Sequence, residues 1–152
     1  MSRAVLVLST LAVLAFASCG GDEKLSKAEY EEKVRSVYGE VQEAFQRTNV
    51  PSLEERADRV EDAQKQLREA AADLENTQPP EDVEAEHAQI AEGMRSYADD
   101  LDVLREAAER GDSDAIEAFN VRIGQNRSVK LIAEAAESAK FKGYDLGPIA
   151  EE

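Results

Sequence analysis

Tryptophan is absent, cysteine and histidine occur once each, and four prolines and eight glycines leave long stretches of the 152-residue chain without a breaker. Each shortage excludes something. The lone Cys19 allows no disulfide within the chain, so the fold must hold by packing. The lone His87 leaves Glu84-x-x-His87 as half of a carboxylate-bridged di-iron motif with no second histidine to complete it. Met94 lies seven residues along the same face as His87, so the two cannot clasp a haem from opposite sides. No C-x-x-C-H attachment sequence is present. Basic residues are outnumbered, 18 Lys and Arg against 33 Asp and Glu, for a formal charge of −15. That balance excludes nucleic acid as a partner. With the single His and the single Cys in unrelated parts of the chain, no nucleophile and base can be paired. Carboxylate pairs such as Asp99-Asp100, Glu54-Glu55 and Glu151-Glu152 read as solvated faces or ends. An enzyme is not expected, nor a metal site or a cofactor.

What is present begins at the N-terminus. Met1-Ser2-Arg3 is a short positive segment, Ala4 to Phe16 is uncharged and apolar, and Ala17-Ser18-Cys19-Gly20-Gly21 is a small-residue processing site. The apolar stretch is shorter than the about 20 residues a spanning helix needs. Ala17-Ser18-Cys19 resembles the lipobox of bacterial lipoproteins, with Phe16 where that family prefers leucine. The resemblance implies removal of residues 1–18, acylation of the Cys19 thiol and an extracytoplasmic body tethered to the membrane through residues 19–25. Loss of Arg3 would take the net charge to −16, and such a body should stand off an anionic bilayer. The competing processing, after Ala15-Phe16-Ala17, would release a soluble chain with a free thiol.

Alanine, Glu, Gln, Arg and Leu dominate the rest, which predicts an all-α domain over residues 26–143. Ser26 and Glu29 form the signature of a capping box, with Leu25 placed to staple onto Tyr30, and Ser52 with Glu55 forms a second. The first helix carries the stripe Tyr30, Val34, Val37, Val41, Ala44 and Phe45. The second carries Leu53, Ala57, Val60, Gln64, Leu67, Ala71 and Leu74. The third keeps one seam for almost four heptads, Val83, His87, Ile90, Met94, Tyr97, Leu101, Leu104 and Ala108, and stops at Gly111. A fourth begins at Asp112 or Ser113 with Ile116, Phe119 and Ile123 inward. Its register blurs after Gly124, predicting a kink or a broad face, and Gly143 is its expected C-cap. Residues 144–152 read as a tail.

Short loops between helices of this length imply an antiparallel up-down-up-down four-helix bundle. A long antiparallel coiled coil completed by a second copy, a homodimer, fits the same spacing. Folding the hairpins together puts Tyr30, Ala71 and His87 in one layer, and Gln64 and Met94 near Arg127 in another. His87, Tyr30, Gln64 and Arg127 are therefore the candidate ligand-binding residues, each with an ordinary role as core or register residue beside it. The mature pattern, with Pro79-Pro80 ahead of Val83 and His87 and the Gly111-Asp112 turn, is similar to small exported helical lipoproteins of high-GC Gram-positive bacteria. That resemblance implies no activity. The expectation is a non-enzymatic envelope module that binds a protein partner; the alternative is a carrier with an interior polar pocket.

Overall fold

The computed structural model describes residues 24–150, and every regular element among them is helical. Helix α1 spans Lys27–Gln46 and α2 spans Leu53–Glu75. A 3-10 turn, Glu81–Val83, leads into α3, Glu84–Asp100, which is followed by α4, Asp102–Glu109. Helix α5 covers Ser113–Arg122, a second 3-10 turn covers Ile123–Gln125, and α6 covers Arg127–Phe141. A last 3-10 turn occupies Gly147–Ala150. The domain is all-α.

Local chemistry sets the ends. At Ser26 the capping box is complete, the hydroxyl accepting from Glu29 N–H and the Glu29 carboxylate accepting from Ser26 N–H at 2.9 Å. At Ser52 the hydroxyl accepts from Glu55 N–H at 3.3 Å. Gly111 and Gly143 both have positive φ, 69° and 88°. In each case the next residue bonds back to close a Schellman motif: Asp112 N–H to Ala107 C=O at 2.9 Å, and Tyr144 N–H to Ala139 C=O at 3.1 Å.

The apolar stripes face one core. Tyr30, Val34, Val37, Val41 and Ala44 of α1 are buried, as are Val60, Leu67, Ala71 and Leu74 of α2 and Ile90, Met94, Leu101 and Leu104 of α3 and α4. Helix α2 packs on α1, α3 and α4, and α3 packs on α6. Lys33 meets Asp73 while Gln66 meets Glu40 across α1 and α2. Arg95 meets Glu75 while Gln64 meets Ala98 across α2 and α3.

Three features depart from the sequence reading. The third helical run is interrupted at Leu101 rather than continuous. There Gln64 Nε2 donates to Ala98 C=O at 2.8 Å and to Asp102 Oδ1 at 2.9 Å, and a side chain inserted into the backbone ladder is a known cause of such breaks. In the fourth run the expected kink is a full break. Asn126 is extended, with φ −66° and ψ 138°, so α5 and α6 take separate directions, and α5 packs on α4 while α6 packs on α3. Residues 144–149 are not a tail. Tyr144, Leu146 and Ile149 are buried, and this segment lies against α1, with Arg35 paired to Asp145 and Lys27 Nζ donating to Gly143 C=O.

Candidate functional site

The only histidine sits one turn into α3, facing the C-terminal end of α2. His87 Nε2–H donates to Leu74 C=O at 2.8 Å, which fixes the neutral tautomer, and Nδ1 is buried without a partner. Burial holds the His87 pKa below its ordinary 6.5, against the pull of the Leu74 carbonyl. The Tyr30 ring lies edge-on to the imidazole, centroids 5.7 Å apart, and Tyr144 lies edge-on to Tyr30 at the same distance. Tyr30 is fully buried, its hydroxyl has no partner, and burial drives its pKa far above 10.

Beside this aromatic trio lies a buried carboxylate that its sequence position did not reveal. Glu86 Oε1 accepts from Lys142 Nζ and from Ser138 Oγ, each at 2.7 Å. Burial alone would raise the Glu86 pKa, but these bonds outweigh it and the group lies below the usual carboxylate value. Tyr144 Oη donates to Asp82 Oδ1 at 2.7 Å, and burial first, then that bond, pushes its pKa up to about 12. Glu86 is off the apolar stripe, and its partners are more than fifty residues away, so no local pattern marks it.

Tyr30 and His87 therefore come together as the sequence layers place them. Gln64 does not join them; it is spent at the Leu101 break. Arg127 opens α6 and is exposed. Cys19 lies outside the described residues. Among the described residues no three His, Cys, Asp or Glu side chains are grouped to hold a metal ion. Among the described residues, none of the four candidates lines any of three clefts. One, of about 500 Å³, is shallow and lies between α4 and α5, with Val103, Phe119 and Arg122 on its walls. A second, of about 320 Å³, opens between α1 and α6 and reaches down to Leu67 and Met94. Polar pairs tie the helix ends together near His87, and a third cleft, of about 540 Å³, lies between the start of α2 and the end of α4 with Glu54, Asp58, Glu61 and Glu109 on its walls.

This is an all-α domain with a small buried polar cluster at one end and an apolar crevice along its side. Residues 24–133 match a family model described as a domain of unknown function, DUF7018, and the chain belongs to that family. The matched span starts where the described structure starts and ends inside α6. No curated protein matches the chain, and no solved structure matches it.

Proposed function

We propose that the protein is a membrane-anchored extracytoplasmic lipoprotein, without enzymatic activity, that serves as a protein-interaction or structural module of the cell envelope. The observation that carries this reading is Cys19, set behind an uncharged apolar leader and five residues ahead of Lys24, where the family match begins. No helix among the described residues is long and apolar enough to cross a membrane, so the attachment in this reading is the acyl chain itself, at about 0.8 kcal/mol per buried methylene. The leader is removed, and the resemblance to exported helical lipoproteins enters here as support of the same kind.

The body is an antiparallel up-down-up-down bundle in this proposal. Its support is the opposed order of the pairs joining α1 to α2 and α2 to α3, and of Ser138 with Glu86 and Ser128 with Asp100 joining α6 to α3. The tether enters at the end that carries the α2–α3 turn, since Leu25 N–H donates to Gln78 C=O at 2.9 Å and Lys24 pairs with Glu84. The far end then points away from the bilayer. It offers a protein partner the exposed Val103 and Val121, 59% and 73% accessible, beside the shallow cleft between α4 and α5.

The test is Cys19→Ala expressed in the native host. The expected result is loss of the protein from the membrane fraction, with the unaltered chain starting at an acylated Cys19 by intact mass. A mature chain starting at Ser18 with no fatty acid would end the proposal.

A further inference from the structure

One aromatic ring is left in water, and it stands at the end of the domain where the described chain begins. Phe141, the last residue of α6, is 85% accessible, whereas every other described Phe and Tyr is buried or half-buried. Its place is fixed by its neighbours. Lys142 Nζ donates to Asp82 C=O at 2.6 Å, and Lys24 Nζ pairs with Glu84 at 2.8 Å, so the end of α6 and the start of the described chain meet at the opening of α3. Lys27 Nζ, donating to Gly143 C=O, ties α1 to the same corner. So exposed a ring adds little to the core.

The anchoring proposal, on which this inference rests, says what lies opposite. Cys19 and Lys24 are five residue steps apart, a reach of at most about 18 Å, while α1 alone, at 20 residues, is about 30 Å long. An acyl chain on Cys19 therefore keeps the Phe141 end close to the bilayer and leaves the far end free to stand away from it. We propose that Phe141 seats this end on the membrane, with its ring at the head-group level of the bilayer that holds the Cys19 anchor. Lys140 and Lys142 flank the ring, and an aromatic side chain beside long basic ones is a pattern of membrane interfaces. Attraction to anionic lipid does not make the contact. Lys24, Lys27 and Lys142 are matched by Glu84, Glu31 and Glu86, and Glu81 is exposed beside Lys24. One ring is too little to hold a protein on a bilayer, so its part is to orient a body that the acyl chains already hold.

The chain has no tryptophan, so Phe141→Trp and, at the far end, Val121→Trp each introduce a single indole at an exposed position. Each mature chain, purified from the native host, is placed in phosphatidylcholine vesicles with or without brominated acyl chains, which quench an indole that reaches them. An acylated chain inserts directly. A chain that starts at Ser18 still carries Cys19 and is coupled through that thiol to a maleimide lipid, so a failure of acylation, read by intact mass, leaves this test standing. The expected result is a blue shift and about twofold quenching of Phe141→Trp, as for a ring at the interface, with Val121→Trp unquenched. Added phosphatidylglycerol should not deepen the quenching. An unquenched Phe141→Trp, equal quenching of both variants by a body lying flat, or quenching only with phosphatidylglycerol would each overturn the proposal. A blue shift without quenching, the sign of a second copy or another protein over the ring, would do the same.

Discussion

Lowering the pH from 7.5 to 5.5 should destabilise this protein through His87. The folded-state pKa is depressed because the imidazole is buried and its Nδ1 has no acceptor to receive a second proton's hydrogen bond. Between that depressed value and the ordinary 6.5, the unfolded chain binds a proton that the folded chain refuses. Stability contributed by the neutral form is thus fully present above 6.5 and declines as the pH falls toward the folded value. The slope for one proton is at most about 1.4 kcal/mol per pH unit. From pH 7.5 to 5.5 the loss is therefore at most about 1.4 kcal/mol, since only the last unit lies below 6.5. For a urea m-value of about 1–3 kcal/mol/M, the midpoint should fall by up to roughly 0.5–1.4 M. The control is His87→Gln, which keeps a donor for Leu74 but does not titrate. Leu74 C=O also accepts from Thr77 N–H at 2.8 Å, so the variant does not strand a buried acceptor. Its urea midpoint should be lower at pH 7.5 and flat down to 5.5. A flat profile in the unaltered chain, or the same decline in His87→Gln, would refute the reasoning.

Gly93→Ala should destabilise by about 1 kcal/mol: the helix preference for Ala returns about 1 kcal/mol, but overpacking costs about 1–3 kcal/mol, because the new Cβ would stand 2.5 Å from Ile132 Cγ1 and 3.1 Å from Ser128 C=O. Urea unfolding of this variant with and without Ile132→Ala should show favourable coupling; additive losses would place the strain elsewhere. Leu146→Ala should cost about 2–5 kcal/mol, since Leu146 is only 1% accessible, and a variant that unfolds at the same urea concentration would show the C-terminal segment to be dispensable.

The stripes were legible because each is periodic within its own helix. Val83, His87, Ile90, Met94, Leu101, Leu104 and Ala108 are all buried, and Tyr30 does meet His87. What could not be read depends on partners distant in sequence. At the interruption beside Leu101, Gln64 reaches in from another helix to Ala98 C=O and Asp102. The close approach of α3 and α6 requires Gly93 opposite Ile132, and a single glycine inside a helical pattern announces nothing of that kind. Tyr144, Leu146 and Ile149 follow no helical period, so their burial leaves no trace in the spacing. The crevice has the same origin: Phe45 reads as an inward residue, but the space beside it is bounded by Leu67, Met94 and Ile132 from three other helices.

Tyr30, fully enclosed near the start of α1, receives its last cover from Tyr144. A chain emerging from a ribosome, or threading head-first through a translocation pore, keeps this face wet until more than a hundred further residues have followed. The α2–α3 hairpin can pair early on its own neighbours, whereas the first helix must wait for residues 144–149. Completion of this core therefore waits on residues 144–149, and a polypeptide stalled or clipped before Leu146 would leave its first helix half-covered and open to proteases.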